Sequence, residues 1–289
     1  MSYQAIETHR KIGPVATLCR ALGVSVSGYY AWRNRGPSRR QQADAELLEQ
    51  IRAVQKQGRG LYGSDRIYHI LRQRRIVCSR KRVARLMREN GLNSRRRRKW
   101  RVRTTDSNHT RPVAPNLLDR QFHADAPNEK WVGDIVGIWT GEGWLYLAAL
   151  LDVFSRLIIG WSMSEKRDMV LVENALSMAL QRRQIMPDRP PLHHTDRGSQ
   201  YTADDYLALL RAYHIEVSMS RKGDPYDNAM IESFFATFRA ELTELEHFPT
   251  RASARVAVFD YIEVFYNRQR VHTSISYTDP TTFEALHQP

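Results

Sequence analysis

The spacing of apolar residues differs between the two halves of the chain. In the first half, apolar residues recur at intervals of three and four, as they do on one face of a helix. This spacing predicts two short helices within 12–35 and a clearer pair over 64–73 and 79–90. Ser64 and Ser79 are placed to cap the second pair. The pattern is typical of a small all-α region with a helix-turn-helix arrangement.

After residue 128 the pattern changes to that of an α/β domain. Three predicted strands are followed by a helix, a strand, a helix, a strand and a helix, which is typical of a mixed sheet covered by helices. The predicted strands are 131–140, 144–153, 156–162, 191–195 and 216–219, and the predicted helices are 169–182, 203–213, 226–242 and 253–266, followed by an irregular tail.

A polar stretch with three prolines separates the two patterns. A chain of 289 residues is long for one domain and comfortable for two. We therefore expect a helical, basic DNA-binding region over 1–103, a linker over 104–128, and a catalytic core with a C-terminal helix and tail over 129–289.

Charge is distributed unevenly between these parts. Residues 1–103 hold 26 Lys and Arg against 6 Asp and Glu, whereas residues 104–289 hold 18 against 25. A strongly basic region of this kind favours a nucleic-acid partner, and Trp100 could stack on a base. The alternative is a solvated basic face followed by a solubilising run. The expected DNA-binding residues here are Arg80, Lys81, Arg82, Arg85, Arg95, Arg96, Arg97, Arg98, Lys99 and Trp100.

Several classes of protein are not favoured. No apolar run reaches the 18 or so residues of a membrane helix, and the N-terminus lacks a signal-peptide pattern. The two cysteines, Cys19 and Cys78, provide neither a disulfide framework nor zinc-ligand spacing. We expect a cytoplasmic protein with no membrane partner.

Three carboxylates are candidates for chemistry. Asp134 lies in a predicted strand, Asp196 ends another, and Glu232 lies in a predicted helix. A buried carboxylate needs a cation or hydrogen-bond donors. Three such acids can hold two divalent cations, which act on the attacking and leaving oxygens of a phosphodiester. The ordinary alternatives are an aspartate bound by backbone amides, a turn residue and an exposed helix glutamate.

The residues around these acids resemble a known family. Trp131–Ile135, His194–Tyr201, Gly223–Phe235 and Tyr266–His272 are similar to the retroviral-integrase-type core of bacterial insertion-sequence transposases. More narrowly, they resemble the second-reading-frame protein (OrfB) of the IS-three family. The resemblance implies a ribonuclease-H-like core in which Asp134, Asp196 and Glu232 are both catalytic residues and metal ligands.

The same resemblance implies an activity and its partners. The activity is metal-dependent cleavage that exposes a 3′-hydroxyl at the element's end, followed by strand transfer during transposition. The implied cofactor is Mg²⁺, two ions per site, for which Mn²⁺ can substitute. The implied partners are DNA ends and target DNA on the bacterial nucleoid, a second copy of the chain, and an upstream-frame protein or fusion.

Further residues are assigned roles with alternatives. Arg239 stands where the family usually has Lys and, with Asn228, Arg270 and His272, is a candidate for DNA contact; packing is the alternative for Arg270 and His272. His194 is either close to the metal site or an ordinary core histidine, and Asp152 is expected to be structural. Two other functions stay open: a DNA-binding regulator with a silent core, and a nuclease that cuts without joining.

Overall fold

The computed structural model describes residues 2–92, 94, 113–222 and 224–287. Within the chain, residues 1–53 and 54–289 form two compact units. The predicted domain boundary between residues 103 and 104 lies outside the described residues, as do Arg95, Arg96, Arg97, Arg98, Lys99 and Trp100.

The first unit is helical. Its helices are α1 (Ser2–His9), α2 (Val15–Ala21), α3 (Val26–Asn34) and the greater part of α4 (Arg39–Gln57). Ile6, Cys19 and Tyr29 form its small core. The two helices predicted within 12–35 are confirmed as α2 and α3. The sequence did not predict α1 and α4, because α4 is strongly polar and shows no clean apolar stripe.

The second unit begins with the end of α4 and the clearer helix pair, α5 (Ser64–Gln73) and α6 (Arg80–Glu89). The oxygen of Ser79 accepts a hydrogen bond from the backbone N–H of Arg82, so Ser79 caps α6 as expected. Gly63, rather than Ser64, occupies the capping position of α5. The two helices bury apolar stripes made of Ile67, Ile70 and Leu71, and of Val83, Leu86 and Met87.

The helix pair packs against the C-terminal part of the core. The Tyr62 hydroxyl donates to the Gln269 carbonyl at 3.1 Å and accepts from the Val271 N–H at 3.2 Å. The ring of His69 stacks on that of Tyr277, with centroids 3.6 Å apart. The pair therefore forms one packed body with the core.

A five-stranded mixed sheet forms the core, in the order β3-β2-β1-β4-β5. The central β1 pairs antiparallel with β2 and parallel with β4. β3 extends the sheet beside β2, and β5 extends it in parallel beside β4. The strands are β1 (Lys130–Thr140), β2 (Gly143–Asp152), β3 (Ile158–Ser164), β4 (Leu192–Thr195) and β5 (Glu216–Met219).

Helices cover both faces of this sheet. α7 (Met169–Arg182) and α8 (Asp204–Ala212) bury one face, and α9 (Ala229–Phe238) and α10 (Arg251–Phe259) bury the other. This arrangement confirms the predicted α/β, ribonuclease-H-like core preceded by helices. Among the helices of the described residues, none is long and apolar enough to cross a membrane.

Three predictions about the core need correction. The helix predicted over 226–242 is a 3₁₀ turn (Pro225–Asn228), then α9, then a π-helical turn (Arg239–Thr243). The helix predicted over 253–266 is α10 followed by a second π-helical segment (Asp260–Tyr266). The tail is not irregular throughout, because Pro280 starts a short helix, α11 (Pro280–Leu286), which Asp279 caps.

Candidate active site

The sheet brings Asp134 and Asp196 to neighbouring positions. β1 and β4 are parallel, and Val132 stands opposite His194 in their register. Asp134 and Asp196 each lie two residues further along, so the same register sets them side by side. Asp196 directly follows the last residue of β4, at the edge where open α/β sheets place their sites.

Local hydrogen bonds hold these two carboxylates. Oδ1 of Asp134 accepts from the N–H of Ile135 at 2.7 Å, and Oδ1 of Asp196 accepts from the N–H of Gly198 at 2.9 Å. Asp134 shares its side of β1 with Val132, whose side chain belongs to the apolar cluster that α9 and α10 cover. The carboxylate of Asp134 therefore points toward the layer that carries the third acid.

Glu232 reaches the site because the start of α9 is tied to β1. The side-chain N–H of Asn228 donates to the carbonyl of Gly133, next to Asp134, at 3.2 Å. Ile231, Phe234 and Phe235 bury the apolar face of α9, and Glu232 stays exposed. The first turn of α9 is thus fixed beside the two aspartates.

The electrostatics show that the three acids act on one another. Burial, and then the charge of Asp196, raises the pKa of Asp134 to about 8; Glu232 adds a smaller effect in the same direction. Glu232 is only partly shielded from solvent, and this partial desolvation raises its pKa; Arg239 opposes the shift, and Asp196 adds to it. The neighbouring acids thus disfavour ionisation of Asp134 and Glu232, and the nearby cations Arg167 and Arg239 oppose the shifts.

The donor set suits a divalent cation, although it is not closed around one. Carboxylate oxygens are what Mg²⁺ and Mn²⁺ prefer. As the side chains stand, no group of three or more histidine, cysteine, aspartate or glutamate residues in the described part of the chain is arranged to hold an ion. The three acids suit such an ion because their carboxylate oxygens are suitable ligands and because a cation would relieve the repulsion between them.

Two residues near the acids were missed from the sequence. The charges of Asp134 and Asp196 add to burial in raising the pKa of Tyr201 well above its ordinary value. Arg167 lowers the pKa values of both Asp134 and Tyr201. Tyr201 ends a stretch that resembles the family, which was a usable signal. Arg167 lies after β3, far from the acids in sequence, and nothing in its surroundings there marked it.

Among the candidates for DNA contact in the core, Arg239 and Asn228 lie near the acids. Arg239 begins the π-helical turn after α9, and its charge acts on Glu232. Asn228 is buried, and its side chain turns inward to Gly133. This contact fixes the start of α9 against β1.

Arg270 and His272 match the packing alternative. Arg270 is 4% exposed, and its Nε and Nη2 atoms each donate to Glu241 at 2.7 Å. The ring of His272 packs edge-on against Tyr266, and burial, followed by the charge of Arg270, holds its pKa well below the ordinary value. Both side chains serve the interior of the C-terminal segment in this structure.

Two other polar residues are structural. His194 is fully buried, with Nδ1 2.8 Å from the Ser218 hydroxyl and Nε2 3.0 Å from that of Ser220, and burial lowers its pKa to about 4. It is a core histidine with both ring nitrogens bonded. Asp152 accepts from the N–H groups of Asn128 and Phe154, as its expected structural role requires.

The basic residues of α6 lie away from its buried stripe. Arg80 and Lys81 are exposed, and Arg82 and Arg85 are partly exposed. Arg80 pairs with Asp65 of α5, and Arg85 pairs with Glu89 at 2.8 Å. The helix therefore presents a positively charged face to solvent, as a DNA-reading helix does.

Comparison with known proteins places these features in a family. The integrase core domain matches residues 124–225 and again 213–280, and an HTH-like domain matches residues 41–100. The transposase InsF of insertion sequence IS3A from Escherichia coli strain K12 is 41% identical over 286 residues, covering 98% of each chain. An uncharacterized 31 kDa protein of insertion element IS600 from Shigella sonnei is 42% identical over 275 residues, covering 94% of this chain and 99% of that protein.

Solved structures resemble the chain more distantly. The HTLV-2 integrase catalytic core domain in complex with magnesium is 18% identical, with a TM-score of 0.39, and covers 58% of this chain and 100% of its own. A simian T-cell lymphotropic virus intasome in complex with a PP2A regulatory subunit is 15% identical, with a TM-score of 0.45, and covers 73% of this chain and 68% of its own. The match to InsF along nearly the whole length settles the family: the chain belongs to the IS3-family transposases, which have an integrase core and act in DNA transposition.

Proposed function

We propose that Asp134, Asp196 and Glu232 are the catalytic acids of this transposase and that they bind two Mg²⁺ ions. The observation that carries the proposal is the parallel register of β1 and β4, which sets Asp134 beside Asp196. The start of α9, bonded to Gly133 through Asn228, adds Glu232.

The raised pKa of Asp134 gives a physical reason for metal binding. A carboxylate with its pKa raised to about 8 is costly to keep ionised at neutral pH, and a bound cation removes that cost. When bound, two such ions would activate the attacking oxygen and stabilise the leaving oxygen of a phosphodiester. Asp134 and Asp196 are already held by backbone N–H groups, so Glu232, exposed on α9, is the acid that completes the site.

The reaction that we assign is cleavage at the element's end followed by strand transfer. The face of α6 that carries Arg80, Lys81, Arg82 and Arg85 would bind phosphates, and Arg239 would hold DNA at the acids. Partners are the element's ends, target DNA, a second copy of the chain and an upstream-frame protein or fusion. Cleavage and strand transfer take place on the bacterial nucleoid, in the cytoplasm.

Conservative substitutions test the acids. Asp134→Asn, Asp196→Asn and Glu232→Gln each remove one negative ligand with little change in shape, so each should abolish cleavage in Mg²⁺ or Mn²⁺ while DNA binding is retained. Glu216→Gln, at an exposed position on β5, is the matched control and should cleave normally. Normal cleavage by a purified Asp or Glu variant would remove that residue from the site.

The same assay separates the other two functions. A DNA-binding regulator with a silent core would bind DNA but never cut it, whatever the metal. A nuclease that does not join would cut, but would leave no strand-transfer products. Joined products from the unmodified protein, lost in the three variants, support the transposase reaction.

Binding by the arginine run is tested separately. Replacing Arg95–Arg98 with Ala should weaken binding to all DNA sequences alike, and each lost phosphate contact should lower the log–log salt slope by about 0.9. A loss confined to one sequence would show that these residues read bases.

A further inference from the structure

A short segment before β1 is fastened to the core beside the acids. We call residues 115–120 the strap. The carbonyl of Pro115 accepts from the N–H of Met219 at 3.2 Å, and the N–H groups of Leu117 and Leu118 donate to the Ser218 hydroxyl at 2.9 and 3.1 Å. Leu118 is fully buried in the core. The strap thus runs along the edge of β5, the last strand of the sheet.

The end of the strap is held in a costly backbone conformation. Asp119 and Arg120 have φ angles of 39° and 60°, in the left-handed region that residues other than glycine rarely adopt. Such a conformation is unfavourable and persists only where its surroundings fix it. The Asn116 side chain accepts from the Asp119 N–H at 3.0 Å, which is one such constraint. The other constraint is the position of the Arg120 side chain.

Arg120 reaches the turn that precedes α9. Its Nη2 pairs with Asp224, and its Nε donates to Asp227 at 3.3 Å. Asp224 in turn accepts from the N–H of Tyr226 and caps the 3₁₀ turn. The Arg120 guanidinium also lies 5.6 Å from the ring centre of Tyr226. The Arg120 side chain therefore contacts the capping residue of the 3₁₀ turn, Asp224, and two residues within the turn, Tyr226 and Asp227.

Asp227 is the centre of these contacts. Its side chain is fully buried, and it accepts from the backbone N–H of Arg221 at 2.8 Å and from the Arg221 guanidinium at 2.7 and 2.9 Å. These bonds close the loop that leads from β5 to α9. Arg120 ties the loop to the strap through Asp224 and Asp227, and Asp119 of the strap pairs with Arg221.

We propose that Arg120 is a positioning residue for Glu232. By pairing with Asp224 and Asp227 it fixes the turn from which α9 starts, and so fixes the third acid of the site. The inference deepens the proposed function and rests on the metal role of Glu232. It also means that the contacts of the strap with the core determine how firmly Glu232 is held beside Asp134 and Asp196. The strap follows the basic part of the chain.

The strength of this effect depends on Asp227 rather than on Arg120 alone. Arg120 is about half exposed, and exposed ion pairs contribute little by themselves. Asp227, however, is buried, and a buried carboxylate responds strongly to the loss of a donor. Because the bonds from Arg221 remain, removal of Arg120 should loosen the turn without unfolding the core.

The experiment compares Arg120→Gln with Arg211→Gln, an exposed arginine in the last turn of α8. Hydrogen exchange of the metal-free protein is measured over residues 224–238, and Mn²⁺ affinity is measured by calorimetry and by cleavage. Arg120→Gln should speed exchange several-fold in this stretch only. It should also raise the half-saturating Mn²⁺ concentration about tenfold, because loss of a residue that orients a metal ligand weakens metal binding. The rate at saturating Mn²⁺ should change little. Arg120→Lys, which keeps one ion pair, should fall between, and Arg211→Gln should match the unmodified protein.

The outcomes separate this inference from the proposed function. Unchanged exchange and unchanged Mn²⁺ affinity in Arg120→Gln overturn the inference, even if Glu232→Gln is inactive. A lower rate at saturating Mn²⁺ with unaltered affinity also overturns it, because Arg120 would then contact DNA instead. Full cleavage by Glu232→Gln overturns the proposed function and the positioning role together, whatever the exchange shows.

Discussion

Two groups of acidic residues, one around Asp227 and one around Asp134, meet the start of α9, and their pKa values shift in opposite directions. Around Asp227, hydrogen bonds from Arg221 hold the pKa well below its usual range. Around Asp134, burial and the neighbouring Asp196 raise the pKa to about 8. The carboxylate that helps to build the turn has arginine donors that stabilise its charge, whereas Asp134 has acidic neighbours that oppose its ionisation. A carboxylate whose pKa is raised by burial and by a neighbouring acid is a candidate for a catalytic or binding site.

The acid cluster gives the largest expected effect. Asp134→Asn should lower the cleavage rate about a thousandfold or more, because a metal ligand is lost. At about 1.4 kcal/mol per factor of ten, this is at least about 4 kcal/mol of transition-state stabilisation. Single-turnover cleavage of an end substrate measures it. A loss of less than tenfold would mean that the raised pKa of Asp134 does not mark the catalytic site.

The same variant should make the metal-free protein more stable at neutral pH. Asp134 holds its proton more tightly in the folded state, with a pKa raised to about 8, than in the unfolded state. Its effect on the free energy of unfolding is therefore absent at low pH and becomes increasingly unfavourable as pH rises from about 4 to about 8. The difference in melting temperature between Asp134→Asn and the unmodified protein should grow across this window, measured in EDTA. A difference independent of pH would contradict the assigned shift.

A third cluster extends the comparison to the C-terminal segment. Arg270 and Glu241 form a buried, doubly bonded ion pair, and removing one partner leaves the other charge unmatched. Arg270→Gln should lower the free energy of unfolding by about 3 kcal/mol. The salt dependence of DNA binding should not change at a temperature where the variant is folded. A reduced salt slope with unaltered stability would restore Arg270 as a DNA contact.

Asp227→Asn should have a smaller effect on stability. The amide keeps the shape but loses the charge that Arg221 and Arg120 share, and both arginines are about half exposed and can turn to water. We expect a loss of about 1–2 kcal/mol, measured by urea unfolding. Because the pKa of Asp227 is lowered in the folded state, this contribution is present above pH 4 and is lost as pH falls toward the folded value. A gain in stability would show that the cluster around Asp227 is also strained by excess charge.

The sequence predicted the strands and most helices because these depend on local patterns of apolar and polar residues. The strand β4, which ends directly before Asp196, is the clearest case. The pairing of β1 with β4 was not predictable from spacing, since parallel strands meet through remote contacts. The π-helical turn at Arg239 was missed because its residues follow α9 without a break in helical composition.

Residues that act through distant partners were also beyond reach. Arg120 lies in a stretch that reads as a linker, and its partners Asp224 and Asp227 follow more than one hundred positions later. Arg270 lies in a sequence motif shared with the family, which suggested a contact with DNA. In the structure its Nε and Nη2 atoms donate to Glu241 in the interior. Short sequence patterns could not predict the ion pairs of Arg120 and Arg270, because these pairs depend on tertiary contacts.

The smallest expected effect belongs to Arg239→Lys, a change at the cation that lowers the pKa of Glu232. Its charge lowers the pKa of Glu232 against the effect of burial, so it lies within electrostatic reach of the site. If its role is to hold a phosphate by charge, Arg239→Lys should keep strand transfer within a few-fold, since both side chains are cationic. Arg239→Glu should remove strand transfer, because it adds a fourth negative charge beside DNA. Mn²⁺ affinity should survive in both variants, since the three acids are unchanged. End cleavage and strand joining are assayed, and Mn²⁺ affinity is measured by calorimetry. Normal joining by Arg239→Glu would mean that this arginine faces solvent and does not contact DNA.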